Sequence, residues 1–345
     1  MPQETAIDAL PAELLLHVMT LALPEHPAIE TWEYRQRLRS LYSFALVHRT
    51  WTPLAQELLF EDIRLNEGLE GMARKGRQLL RGTDKFKPKT LMVEGSLDIL
   101  LSATYPETWS KVTRLDYSDS TNLIDLNSLD RFPLVEILLL NLSRYELPKL
   151  SDTLVFPNLR KLAFNCIREM NGRLSDYQEL FSPSRLPNLT HLALDLYAVD
   201  DWDKVFDRIA PQIIALAISN EIWDDSVLAS PTSLMLLKST SRWSSLKHLA
   251  FNNDTPNAVV PSFGEEVKDL NLDTFHVELP EWEWDEVTGP LFALSQGEVE
   301  TFKTKRFIVH NYLKEEVARV YPDEDLDKIE WLESSRLSFL DFDEL

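Results

Sequence analysis

Residues 159–164, LRKLAF, and 189–194, LTHLAL, share one pattern: apolar, two spaces, apolar, one space, apolar. The template recurs as VTRLDY (112–117), VEILLL (135–140), IIALAI (213–218), LKHLAF (246–251) and VKDLNL (267–272), with weaker copies at KTLMV near 91 and VETFKT near 302. Within each copy the side chains alternate between two sides, the mark of a short strand. The copies advance by about 26 residues on average, and amphipathic helical stretches such as LSDYQELF, DWDKVFDRI and SPTSLMLLK lie between them. A strand–turn–helix unit of that size cannot bury its apolar face alone. Stacking therefore predicts an α/β solenoid over residues 89–305, with a parallel sheet on its concave face.

Two columns follow from the alignment. Immediately after the last apolar position stand Ser118, Asn141, Asn165, Asp195, Ser219, Asn252 and Asp273, short polar residues that bond nearby backbone where a chain turns away. The outward positions hold Arg114, Ile137, Lys161, His191, Ala215, His248 and Asp269 in one column, and Asp116, Leu139, Ala163, Ala193, Ala217, Ala250 and Asn271 in the other. The alanines leave a shallow face, open to a partner protein or covered by another part of the chain. Lys161, His191, His248 and Asp269 are its candidate substrate-binding residues, joined by Trp282 and Trp284 of EWEWDE (281–286), which share a side if that segment is extended.

Ahead of the repeats, residues 1–65 read as three short helices. Leu10-Pro11 opens the first, since proline in the first turn loses no hydrogen bond that a helix needs, and Glu13 suits the positive end of the helix dipole. Leu14, Leu15, Val18, Leu21 and Ala22 form one stripe, and Leu16, Met19 and Leu23 a second. A helix of this length with two apolar stripes points to a partner surface as well as a core, and the second stripe is the one expected to be offered outward. RQRLRSLYSFALVHRTW forms the next helix, and Thr52-Pro53 is expected to cap and start a third, PLAQELLF, before the extended EDIRL.

LPAELL opening a helix, followed by FALVHRTWTPLAQELLF, resembles the F-box over residues 7 to about 65. The later copies look like the irregular leucine-rich repeats that follow F-boxes, as in fungal members of that family. The resemblance implies a substrate-recognition subunit of a cullin-based ubiquitin ligase, with Leu10, Pro11, Leu14, Leu46, Val47 and Trp51 docking the adaptor subunit and the repeat surface capturing a protein substrate. The alternative is a repeat scaffold without a ligase role, in which the insertion at 24–37 prevents docking.

Bulk chemistry is consistent with a binding protein. A net charge of −21 over 345 residues opposes binding to nucleic acid, whose affinity rests on cations displacing counterions. The basic stretch 74–89 reads as a solvated helix face and linker between the two modules, the alternative being contact with an acidic partner. Apolar runs are far too short to span a bilayer, and a single cysteine, Cys166, excludes an intrachain disulfide, so a cytoplasmic or nuclear setting is expected. No phosphate-binding glycine loop, nucleophile elbow or metal-ligand spacing is present, so neither catalysis, cofactor nor metal is expected. His191 and His248 sit two strands apart, roughly 10 Å, too far to share a zinc ion. Residues 306–345 are expected to be a helical cap with an acidic tail, with helices at NYLKEEVARVY and DLDKIEWL.

Overall fold

A computed structural model of the chain describes residues 10–23, 31–66, 87–95, 97–119, 126–142, 150–166, 178–196, 202–220, 240–253, 271–279, 303–311, 315–320 and 330–336. The chain divides into two compact units, Met1–Tyr117 with Arg131–Val135, and Ser118–Asp130 with Glu136–Leu345. No helix among the described residues is long and apolar enough to cross a membrane.

The first unit holds helices α1 (Ala12–Leu21), α2 (Thr31–Val47) and α3 (Trp51–Glu61) and strands β1 (Asp62–Asn66) and β2 (Thr90–Glu94), and it contains the start of β3 (Arg114–Asp119). β1 and β2 pair in parallel, from Asp62 against Thr90 to Asn66 against Glu94, which buries Ile63 and Leu65 beside Leu91 and Val93. The extended EDIRL at the end of the helical module is thus a rung of a sheet. After β2, Gly95 takes φ 132°, a conformation that a Cβ disfavours, and the chain turns into the short helix Leu97–Ser102.

The second unit carries β4 (Ile137–Leu142), β5 (Lys161–Cys166), β6 (His191–Leu196), β7 (Ala215–Asn220), β8 (His248–Asn253), β9 (Asn271–Leu279), β10 (Lys303–Asn311), β11 (Glu315–Val320) and β12 (Glu330–Arg336), laid side by side in chain order. From β4 to β10 every pairing is parallel. The architecture is α/β and solenoid-like, as the repeat requires. Leu138 and Leu140, Leu162 and Phe164, Leu192 and Leu194, and Leu216 and Ile218 form the buried side of four consecutive strands. Behind them Phe164, Phe181 and Phe206 pack edge-to-face at 5.2 and 4.6 Å between centroids, an arrangement that aromatic quadrupoles favour.

One turn prepares each strand. Val112 N–H donates to Trp109 O, Val135 to Phe132, Leu159 to Phe156, Leu189 to Leu186, Ile213 to Ala210 and Leu246 to Trp243, at 3.0 to 3.3 Å. The first residue of each of these turns is buried, and Pro133, Pro157, Pro187 and Pro211 occupy the second position, where a fixed φ near −65° suits a β-turn. The third position can then reach backward: Asn188 Nδ2 donates to Pro157 O at 2.6 Å, and Gln212 Nε2 to Leu186 O and Leu189 O at 2.7 and 2.9 Å. Backbone joins the repeats as well, because one carbonyl per repeat accepts two N–H groups from the next. Glu136 O takes Arg160 and Lys161, Arg160 O takes Thr190 and His191, Thr190 O takes Ile214 and Ala215, and Ile214 O takes Lys247 and His248.

The same carbonyl rule corrects the sequence register at the far end. Lys247 O accepts from Asp273 and Thr274, and His248 pairs with Thr274, Leu249 with Phe275 and Phe251 with Val277. The working copy of the template is therefore LDTFHV (272–277), five residues beyond VKDLNL, and Phe307 against Phe275 shifts the copy near 302 by the same amount. Asp273 leaves the polar column, which reads Asn141, Asn165, Asp195, Ser219, Asn252 and then Glu278. Both alignments satisfy an apolar spacing, and only backbone pairing chooses between them.

Two expectations about helices also change. Between strands the described elements are brief, such as Trp202–Phe206 and the 3₁₀ turns Leu126–Arg131 and Thr240–Trp243, while 230–238 lies outside the described residues. Where residues 306–345 are described they are strands, β10 pairing antiparallel with β11 and β11 with β12, so 315–320 and 330–332 of the two expected helices are extended; 312–314, 321–329 and 337–345 lie outside the described residues. The β-branched Val317 and Val320 favour extended backbone, although their three-residue spacing is also that of a helix stripe.

Candidate docking surface

α1 begins at Ala12, with the N–H groups of Leu14 and Leu15 both bonded to Pro11 O, so the Leu-Pro opening does start a helix. Met19 and Leu23, at four-residue spacing, point into a core with Leu41, Ala55 and Leu58, and Leu16, Phe44, Ala45, Trp51, Leu54 and Leu59 pack around it; Leu15, one turn before Met19, is buried as well. Leu10, Leu14, Val18 and Leu21 form the opposite line and are exposed, Leu21 to 72 %. The assignment of the two stripes is reversed from the sequence expectation: the stripe containing Met19 and Leu23 is the core, and Leu14, Val18 and Leu21 face outward. α3 decides this, since it presents Ala55 and Leu58 to the Met19 side.

The end of α2 adds Tyr42, Leu46 and Val47, all exposed, with Leu46 at 87 %. A tight connection follows. Thr50 N–H donates to His48 Nδ1 at 3.3 Å, Thr50 Oγ1 lies 2.9 Å from the same nitrogen, and Trp51 N–H bonds His48 O at 2.9 Å. Thr52 is not the cap of α3. The helix starts at Trp51, and Thr52 Oγ1 instead donates to Ala45 O at 2.8 Å, tying α3 to α2. Trp51 stacks edge-on against Phe44 at 5.8 Å and belongs with the helical core. Five of the six residues expected to dock an adaptor, Leu10, Pro11, Leu14, Leu46 and Val47, are thus exposed, and Trp51 supports them from within.

Where α2 and α3 meet the strands of the first unit, the chemistry becomes ionic. Glu61 Oε1 receives Lys89 Nζ at 2.7 Å and Oε2 faces Arg37 Nη2 at 4.0 Å. Tyr34 OH donates to Asp62 O at 3.5 Å, and the Arg64 guanidinium lies over the Tyr34 ring at 4.8 Å. Asp62 and Arg64 are 4.0 Å apart on β1, and Arg114 and Asp116 are 3.7 Å apart on β3. Burial raises the Asp62 carboxyl against the pull of Arg64, Arg37 and Arg114, and burial likewise raises Asp116 against Arg114 and Arg64. Arg37 is lowered, chiefly by burial, and Tyr34 is raised by burial and then by Asp62.

The second expected surface is the side of β4–β8 opposite the core. Lys161 pairs with His191, His191 with Ala215, and Ala215 with His248, so the row exists in the expected order and the histidines stand two strands apart. His191 Nδ1 lies 2.8 Å from Thr190 Oγ1, and His248 Nδ1 lies 2.7 Å from Thr274 Oγ1. Ile137, Leu139, Ala163 and Ala193 are half-buried, whereas Ala215, Ala217, Ala250 and Thr274 are buried. The face is half-buried at β4–β6, and among the described positions beyond it only His248 is as open. Asp269, Trp282 and Trp284 lie outside the described residues. No cluster of three or more metal-ligating side chains gathers among the described residues. No protein-family model matches this chain, and no curated protein matches it significantly.

Proposed function

We propose that this chain is the substrate-recognition subunit of a cullin-based ubiquitin ligase, a binding protein without its own catalytic step. The exposed line Leu10, Leu14, Val18, Leu21, together with Leu46 and Val47, carries the reading, because five of the F-box-like docking positions are solvent-facing on a helical core that closes without them. Large apolar side chains left exposed along one helix line mark a protein contact, and their desolvation supplies the affinity. The half-buried side of β4–β6, with Lys161, His191 and the apolar Ile137 and Leu139, is the matching place for a protein substrate.

The test is binding of the adaptor subunit to the full chain. Leu14→Asp and Leu46→Asp are each expected to weaken it by at least about tenfold at unchanged melting temperature, since each would place a charge in a desolvated contact. Val155→Asp, at an exposed apolar residue of the second unit, should leave adaptor binding intact. A folded chain that ignores the adaptor would sink the reading and leave a repeat scaffold without a ligase role.

A further inference from the structure

On the side of β1, β2 and β3 away from the buried leucines, the residues run Asp62-x-Arg64, Thr90-x-Met92 and Arg114-x-Asp116. The order of charge on β1 is inverted on β3. Thr113 and Arg114 N–H both meet Lys89 O, which sets Arg114 in the rung of Thr90 and therefore of Asp62. The inversion thus gives each charge an opposite partner along its own strand and another two strands away. α2 joins this pattern through Tyr34 and Arg37, and α3 through Glu61.

Such a cluster is a poor source of stability. Arg37 and Asp62 are each about 2 % exposed, and charges removed from water lose hydration that their mutual attraction only partly returns. Desolvation dominates at Asp62, Asp116 and Arg37, so the charges are held at a cost. Leucine and methionine could fill the same space more favourably. What a charge pattern supplies and an apolar patch does not is directionality, because an apolar interface can slide or rotate, while an inverted ionic register matches in one orientation only.

We propose that the buried and half-buried charges of β1, β3 and α2 act as an orientation lock, fixing the helical docking module on the first strands of the sheet. A flexible junction there would let the docking face and the strands wander relative to one another. The lock holds α2 in one pose whatever partner the exposed line engages, and it goes beyond the ligase reading without depending on it.

The experiment uses the full chain with spin labels at Arg39→Cys on α2 and Lys111→Cys ahead of β3, both exposed sites, in a Cys166→Ser background. Distance distributions and melting temperatures are compared for this parent, for Arg37→Met, and for the apolar replacement Arg37→Met/Asp62→Leu/Arg64→Met. Arg37→Met is expected to melt lower, because it removes one of the cations that offset the buried Asp62 carboxylate and leaves its partners in place. The triple variant should melt at or above the parent while its distance distribution widens about twofold, so that stability and orientation move in opposite directions. A triple variant as narrow as the parent overturns the lock and assigns orientation to packing alone. One that melts far below the parent, or does not fold, overturns it by making the charges a source of stability. Adaptor binding by the parent is a separate readout, and its failure would count only against the ligase reading.

Discussion

The same side of the strands is built from opposite materials in the two units. On β1 and β3 it is Asp, Arg, Arg and Asp, with the Tyr34 and Arg37 side chains of α2 engaged; on β4 to β8 it is Ile, Leu, Lys, His and alanines around a regular backbone ladder. That side contributes little to the ladder's register, because from β4 to β9 each described repeat is joined to the next by a shared carbonyl. The first strands receive a helical module that has no such repeated connection, and there the side chains take over the role of setting position.

The contrast can be strained at several points. Phe181→Ala should have the largest effect, a loss of about 3–5 kcal/mol in chemical denaturation, because it removes the ring between Phe164 and Phe206. A loss below about 1 kcal/mol would mean that the ladder tolerates a hole there. In the helical module, Met19→Ala is expected to cost about 2–5 kcal/mol and Leu46→Ala less than about 0.5, since one is wholly buried and the other almost wholly exposed. Comparable losses at the two positions would erase the distinction between core stripe and docking stripe.

Smaller effects follow from polar groups. Gln212→Ala should cost about 1 kcal/mol, because the Leu186 and Leu189 carbonyls lose a shared donor, and Gln212→Glu, which cannot donate when ionised, should not rescue it. The pH effect is the smallest. Asp62 and Asp116 bind protons in the native chain above their ordinary value of 3.8, so the stability linked to them is full below that value and is lost as the pH rises through their raised native range. Asp116→Asn no longer titrates there. Its stability relative to the parent should therefore grow as the pH rises through that window, and a flat difference in urea midpoints would show that pairing offsets burial.

Much of the fold could be read before the coordinates. LRKLAF, LTHLAL, IIALAI and LKHLAF are strands at the expected positions, because a period of two with three fixed apolar sites leaves few alternatives. The Phe-Pro, Leu-Pro and Ala-Pro pairs at 132, 156, 186 and 210 were an equally visible signal for the turn before each strand, and they mark the repeat more sharply than the leucines do. β9 was misplaced by five residues because VKDLNL and LDTFHV both satisfy the template, and no local property separates them. The ion cluster was hidden for a different reason: Arg37, Asp62 and Arg114 lie far apart in sequence, and each alone looks like an ordinary surface charge.

The amino-acid order alone determined that strands would stack in chain order, that the first helix would be apolar on two sides, and that Leu10, Leu14 and Leu46 would belong to one resemblance. Those are consequences of spacing, which a one-dimensional pattern contains. Which stripe of α1 turned inward, which five-residue alternative became β9, and which charges met were decided only by tertiary structure. Each depends on what another segment brings alongside, Ala55 and Leu58 for the helix, the Lys247 carbonyl for the strand and the inverted partner for each charge.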